Sequence, residues 1–407
     1  MSVVLPTLNA GPELRAVLER LRAQRGLPEI EIVAVDSGST DETLPLCERF
    51  GVKVVPYPGG SFNHGIARNT GAEAASGEYL VFMSQDAIPV GPDAVAGFVR
   101  ALQSDPLLAA TSARQIPRSD ADLFSCWQLW CYREKVLAYR SDTVVSIDPV
   151  DLAALAPAAR HRAAQIDNVF ACVRRSAFEK LRFRPRAIAE DLDLGLRLLG
   201  EGYRIGFMSS VAAIHSHGRP PAYHLRRSFV EWVALVDLLG CPLQDWRGLD
   251  ATTMAPAVTA ATGLYRRVGA GIAAITGAWA DRPAETIGRL RAALAEPGSA
   301  GGLATEPSIE AILGEIGGAA SLGARPAESA AEEAMLAFYL NLLTSFTEFV
   351  ASRPPYPEAA DELRTALFKI CAETAGHCLA DFGIWAARQD PGGVGFAELS
   401  STLSRGI

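Results

Sequence analysis

The chain has 407 residues, 49% of them hydrophobic, and 38 Lys and Arg against 46 Asp and Glu give it a net charge of −8. That length exceeds one average core of roughly 100 to 200 residues, so two domains are expected, and the apolar content excludes a disordered tail protein. Residues 241–407 hold 12 basic and 19 acidic residues, a net −7, which leaves −1 for residues 1–240 and argues against a broad nucleic-acid surface.

Along the first part, short β-branched runs alternate with helical patterns, as in a mostly parallel sheet covered by helices. SVVLP (2–6) is predicted as a strand, followed by a helix with Leu14, Val17, Leu18 and Leu21 on one face. IEIVAVD (30–36), a helix from about Asp41, the strand KVVPY, a helix near 64–75 and the strand YLVFMSQD (79–86) come next. The polar tips of SVVLP, IEIVAVD and YLVFMSQD then fall at the C-terminal ends of strands, where open α/β sheets bind ligands. A helix over 92–103, a strand over 107–114, an aromatic helix with Trp127, Trp130 and Tyr132, and a loop of Ala, Pro and Arg over about 150–166 continue the pattern. After these stand NVFACVRR, the helical run EDLDLGLRLLGEG, the apolar YRIGFMSSVAAI and an H-S-H-G group.

From about His224 the period becomes 3.6 and stays so: Phe229, Trp232, Val233, Val236 and Leu239 share a face of a linking helix over about 224–240. Two long patterns follow, Met335 to Phe349 and Leu363 to Trp385, with Pro354, Pro355 and Pro357 between them as a helical hairpin requires. Gly- and Ala-rich loops are expected at 297–303 and 316–327. The expected division is an α/β domain over 1–225 and an all-α domain over 226–407.

Seven scattered cysteines without a C-x-x-C pair fit reduced thiols and a cytoplasmic setting. The start, MSVVLPTLNAG, lacks the pattern of a signal peptide. VGAGIAAITGAWA is shorter than the ~20 residues that span a bilayer, so no transmembrane helix is expected, while peripheral contact at the inner membrane face stays open.

SVVLPTLNAGPELRAVLERL, VDSGSTDET, FNHGIARNTGAEAASGEYLVFMSQDAIP and AEDLDLGLRLLGEGYRIGF, in this order, resemble the family 2 inverting glycosyltransferases of GT-A fold. The wording F-N-H-G-x-A-R-N with Q-D-A-x-P and a later H-S-H is most similar to bacterial rhamnosyltransferases. The resemblance covers about residues 1–225 and implies a Rossmann-like sheet and a nucleoside-diphosphate sugar donor. It also implies a divalent cation, and a glycan or lipid-linked acceptor. Its wording suggests L-rhamnose as the sugar.

The residues carry their own chemistry beside that resemblance. Thr7, Asn9 and Asp36 are small polar groups at strand ends that suit the edge of a nucleobase, with the Asp accepting an N–H bond. D-S-G-S-T-D-E equally well turns the chain, with Thr40 or Asp41 capping a helix. Arg68 is placed to stack on a pyrimidine or reach a phosphate, although a solvated Arg is the commoner outcome; the family pattern favours the nucleotide. His64 and Asn63 beside it contact either the nucleotide or only the loop.

Ser84, Gln85 and Asp86 stand where the family usually has Asp-x-Asp, so Gln85 is assigned to the donor and Asp86 to the cation. One carboxylate suffices if another ligand arrives, and His215 or His217 on a strand end is the candidate; an imidazole favours Mn²⁺ over Mg²⁺. Glu190 and Asp191 open a helix whose macrodipole keeps a carboxylate ionised; the family makes this Asp the general base, and capping is the competing reading. Asp193 and Arg197 are expected in support.

Trp127 and Trp130 suit stacking on an acceptor sugar, but their spacing also suits a core. Arg219, Arg226 and Arg227 form a basic group fit for a diphosphate or anionic lipid, or a solvated helix end. The acidic helical part is expected to mediate self-association or acceptor positioning and to face away from a membrane. Two other classes compete: a nucleotide-sugar-binding or scaffold protein of a glycan assembly complex whose S-Q-D motif no longer supports catalysis, and a sugar-phosphate nucleotidyltransferase. The latter lacks its glycine-rich phosphate loop in LPTLNAGPELR.

Overall fold

A computed structural model describes residues 1–275, 283–295, 304–317, 326–353, 360–391 and 395–405. The chain divides into two compact units, one of Met1–Asp120 and Leu129–Ser216, the other of Ala121–Gln128 and His217–Ile407. The division falls at Ser216, where residue 225 was expected, and Ala121–Gln128, expected in the α/β part, groups with the helices.

The first unit is an α/β unit built on a sheet. Strands β1 (Ser2–Thr7), β2 (Glu31–Asp36), β3 (Lys53–Pro56) and β4 (Tyr79–Met83) are parallel, in the order β3-β2-β1-β4. Helices α1 (Gly11–Arg22), α2 (Thr43–Arg49) and α3 (His64–Ala74) make the connections, which is why β1, β2 and β4 read as unbroken apolar runs: both faces are covered. Gly71 lets α3 lie on β1, because a Cβ there would meet Val4 Cγ1 at 2.3 Å.

Beyond β4 the sheet continues through β8 (Phe170–Arg174), β6 (Leu108–Ile116), β9 (Arg204–Ile214) and β5 (Ile88–Pro89), with β7 (Thr143–Val145) also on β9. β8 runs antiparallel to β4 and β6, while β6 and β9 are parallel to each other. The sheet is therefore mixed, parallel in its first half. Helices α4 (Ala94–Ser104), α5 (Leu123–Cys131, prolonged by a π-helical turn Tyr132–Leu137), α8 (Arg175–Leu181) and α9 (Glu190–Gly200) complete the expected pattern.

The expected loop over 150–166 is instead two short helices, α6 (Pro149–Ala154) and α7 (Pro157–Ala164). Each places its proline in the first turn, where the missing N–H costs nothing, so a composition that reads as loop starts helices.

The second unit is helical: α10 (Pro221–Leu239), α11 (Ala255–Ile275), α12 (Pro283–Ala295), α13 (Pro307–Gly317), α14 (Pro326–Ala351), α15 (Ala360–Gln389) and α16 (Gly395–Leu403). α10 and α15 approach so closely that a Cβ on Gly376 would meet Leu225 O at 2.1 Å. Asp381, at 0% exposure, takes Trp232 Nε1, Trp246 Nε1 and the Gln244 amide at 2.7–2.9 Å. The expected breaks at Pro354, Pro355 and Pro357 and the loop at 297–303 lie outside the described residues, as does most of 316–327.

Within α14, Ala330–Ala351 is long and apolar enough to cross a membrane, and its Met335, Tyr339, Leu343 and Phe346 are buried among the helices of this unit. The sequence pointed instead to VGAGIAAITGAWA, whose last residues lie outside the described ones. All seven cysteines are free.

Candidate active site

Three loops meet at the C-terminal ends of β1, β2 and β4. Thr7 and Asp36 close their strands opposite one another in register, and Thr7 Oγ1 donates to Asp36 Oδ2 at 3.0 Å. Asp36 Oδ1 accepts the amides of Gly38 and Ser39 at 3.0 and 2.8 Å, and Oδ2 the Ser39 hydroxyl at 2.6 Å. Burial alone would raise this carboxyl, but the bonds from Ser39, Gly38 and Thr7 outweigh it and hold it below the usual range.

Asn9, at φ 46°, accepts the Thr40 amide at 2.9 Å, and the Gln85 amide group bonds both N and O of Leu8 at 2.8 and 3.2 Å. The polar residues expected to read a nucleobase therefore also tie the loops together. Asp36 has its acceptor capacity filled, so an added N–H would displace a loop bond. The N-cap position of α2 is Glu42, which makes no side-chain cap bond, and Asp41 Oδ1 accepts the amide of Thr43, the first residue of the helix, at 3.0 Å.

The F-N-H-G-x-A-R-N motif serves a second loop. Asn63 caps α3 through the Ile66 amide at 3.1 Å, and its Nδ2 donates to Arg186 O at 2.6 Å. Asn69 bonds both backbone groups of Phe183 at 2.9 and 3.1 Å, and a Cβ on Gly65 would meet Arg184 O at 2.7 Å. Arg68, expected to face a nucleotide, is 5% exposed with its guanidinium ion-paired to Glu190. The correction has a physical cause: Glu190 is buried too, and an unpaired buried carboxylate is costly. His64 is exposed, its ring edge-on to Phe62 at 4.8 Å.

That loop delivers α9. Ala189 before it is in the left-handed region at φ 60°, and no side chain caps the helix. Glu190 takes Arg68 and Asn168 Nδ2 (3.2 Å); burial raises its pKa, but the charges of Arg68 and His64 more than reverse this and lower it. Asp191, next in sequence, moves oppositely: burial, then the charges of Glu190 and Asp167, push it up to about 7. The helix-dipole expectation of a fully ionised carboxylate is corrected here, because desolvation and two like charges outweigh the dipole and the Asn168 amide at 3.2 Å.

Adjacent carboxyls driven apart in this way are how a protein holds one group charged and another poised near neutrality. Asp193 is 3% exposed and gathers Arg197 at 2.7 Å, Arg186 at 3.0 Å and Arg184 at 3.5 Å; Arg197 also holds the carbonyls of Leu181 and Arg182.

A third group lies where β9 ends between β5 and β6. The pairings Ile88↔Ile214 and Ile116↔Ile214 bring the segments holding Asp86 and Gln115 to His215. His215 Nε2 is 3.7 Å from Asp86 Oδ1, with the side chains 12% and 6% exposed. With His217, two residues on, they offer ligand atoms all within 4.8 Å of one another. A separation of 3.7 Å is too long for a hydrogen bond and short enough for one small ion to touch both atoms, so a carboxylate-imidazole set fits a divalent cation. Arg118, unassigned by sequence, donates to Asp86 O at 3.0 Å and approaches Oδ2 at 3.6 Å.

Trp127 is 2% exposed, packed edge-on to Phe346 at 5.6 Å and donating to Ser345 Oγ at 3.2 Å. It belongs to the helical core and presents no face to a sugar. Trp130 stays partly exposed beneath Lys135, 5.5 Å from its ring. Gln115, Asp167 and Asn168 belong to no motif in the sequence; the one local sign of the last two is the polar pair in I-D-N-V-F just before β8, and Gln115 in β6 has none.

The Glycosyl transferase family 2 model matches residues 2–146, and the Glycosyl transferase family group 2 model residues 79–234. The O-antigen chain rhamnosyltransferase RfbN of Salmonella typhimurium is 30% identical over 233 residues, 56% of this chain and 70% of RfbN. The chain belongs to glycosyltransferase family 2. WbaN of Salmonella anatum, another O-antigen chain rhamnosyltransferase, is 28% identical over 232 residues, again 56% and 70% of the two chains. Among solved structures, the mannosyltransferase PcManGT from Pyrobaculum calidifontis, in complex with GDP-Man and Mn²⁺, is similar with a TM-score of 0.46 and 18% identity, covering 90% of this chain and 85% of that one.

Proposed function

We propose that this family 2 glycosyltransferase moves L-rhamnose, with inversion, from a nucleoside-diphosphate donor to a hydroxyl of a glycan or lipid-linked acceptor. Asp191 is the general base, and its place at the start of α9, beside the ion-paired Glu190 and held by the Asn168 amide, is the observation that carries the reading. Burial and the charges of Glu190 and Asp167 raise its pKa toward the operating pH, where a base works best. It takes the acceptor proton as the acceptor oxygen attacks the anomeric carbon opposite the leaving group. Asn168 steadies it through its amide, and Arg68 keeps Glu190 charged beside it. Asp86, His215 and His217 would hold Mn²⁺ or Mg²⁺, which when bound neutralises charge on the departing diphosphate. Thr7, Asn9, Asp36 and Gln85 shape the donor end, and Trp130 remains the aromatic candidate for the acceptor.

Support for the sugar comes from RfbN and WbaN, both named as rhamnosyltransferases. The expected test outcome is that deoxythymidine-diphosphate L-rhamnose, Mn²⁺ and a lipid-linked glycan yield a product of inverted anomeric configuration by NMR. Asp191→Asn should reduce turnover about 10²- to 10⁴-fold. Near-normal turnover in that variant removes the base assignment.

Ser84 in the place of a carboxylate is what favours the second reading, a nucleotide-sugar-binding or scaffold protein. Such a protein binds donor yet releases no sugar with Mn²⁺.

A further inference from the structure

Gln115 Oε1 lies 2.9 Å from His215 Nδ1, and Gln115 Nε2 donates to Asp167 Oδ2 at 2.5 Å. Asp167 also accepts the Val169 amide at 3.0 Å through Oδ1, as a carboxylate would. An ionised carboxylate only accepts, so the amide orientation is forced: NH₂ toward Asp167, carbonyl toward His215. Turned the other way, the amide would press its oxygen against the carboxylate. A carbonyl at Nδ1 in turn requires that nitrogen to carry the proton. In the neutral ring the lone pair then belongs to Nε2, the atom that faces Asp86 Oδ1.

We propose that Gln115, anchored by Asp167, is a positioning residue that locks His215 in the Nδ1–H tautomer and so presents Nε2 to the cation. The inference rests on the cation site proposed above. The same short segment serves both halves of the chemistry: the Asp167 side chain holds Gln115, and the next residue's amide holds Asp191 at 3.2 Å. Partners of this kind fix ring orientation and typically change metal affinity 10- to 100-fold.

The test uses the full chain, labelled with ¹⁵N at histidine and free of metal, at pH 8. Long-range ¹H–¹⁵N spectra, with His215 assigned by the signals lost in His215→Gln, should show a protonated Nδ1 and a bare Nε2. Gln115→Leu should move His215 to the commoner Nε2–H form and weaken Mn²⁺ binding, read from the EPR signal of free Mn²⁺, about 10- to 100-fold. Gln115→Glu with Asp167→Asn exchanges acid and amide while keeping an acceptor toward His215, and should restore affinity to within about threefold. A wild-type Nε2–H ring, unchanged Mn²⁺ affinity in folded Gln115→Leu, or a double variant no better than Gln115→Glu alone overturns the proposal. If wild type shows the Nδ1–H ring but binds no Mn²⁺, the cation reading fails and the claim that Gln115 presents Nε2 to a cation falls with it; the tautomer assignment alone survives.

Discussion

Both units bury titratable groups, and they treat them in opposite ways. In the sheet unit Glu190 and Asp193 are ion-paired with facing guanidinium groups: Arg68 for one, Arg184, Arg186 and Arg197 for the other. In the helical unit several such groups are held neutral by desolvation. Burial lowers His377 to about 4, and His224, beside the Lys369 charge, falls to about 4 as well. Burial, with the Glu231 charge, raises Glu373 to about 8. The Lys369–Asp122 pair at 2.7 Å is one counterexample among the described residues of the helical unit, a buried lysine matched by a carboxylate. The contrast teaches where a fold spends buried charge: around Asp191 it sustains a field that tunes one carboxyl, whereas among the helices it is mostly extinguished for packing.

Three substitutions probe this difference in the treatment of buried charge. Arg68→Met leaves Glu190 buried without its cation and should cost about 3–5 kcal/mol in denaturant unfolding. Gly65→Ala drives a Cβ against Arg184 O and should cost about 1–3 kcal/mol, while lowering activity because the loop before α9 shifts. His377→Phe should change stability at pH 7.5 by less than about 0.5 kcal/mol and leave activity intact. His377 lies between Trp232 at 4.0 Å and Phe338 at 4.3 Å, a slot that suits a phenyl ring. The lowered pKa of His377 means that the folded state binds fewer protons than the unfolded one. Wild type therefore loses stability as pH falls below about 6.5 toward 4, and the variant should be relieved of that loss.

Much of the sheet unit was legible in the sequence because β1, β2 and β4 are continuous apolar runs ending in polar residues, and because α9 opens on an acidic pair. Arg68 was misread because its partner stands 122 residues away, and nothing in G-I-A-R-N announces an ion pair. Gln115 and Asp167 were invisible for the same reason: their meaning comes from strand register, with β6 beside β9, and not from local pattern. Trp127 shows the converse: of the two roles its spacing suits, acceptor stacking or core, it takes the core, because Ala121–Gln128 groups with the helical unit. The shift of Asp191 also could not be read from its helix position, since it depends on Glu190 and Asp167 meeting around a desolvated carboxyl.

The proposed chemistry depends above all on that carboxyl, and a single-turnover rate measured against pH tests it. The folded pKa is raised, so Asp191 is protonated and inactive as a base below about 7 and ionised above it. With donor, acceptor and Mn²⁺ saturating, the rate should climb through pH 7 and level off above. A rate already at its plateau by pH 5.5, as an ordinary carboxylate near 4 would give, contradicts it.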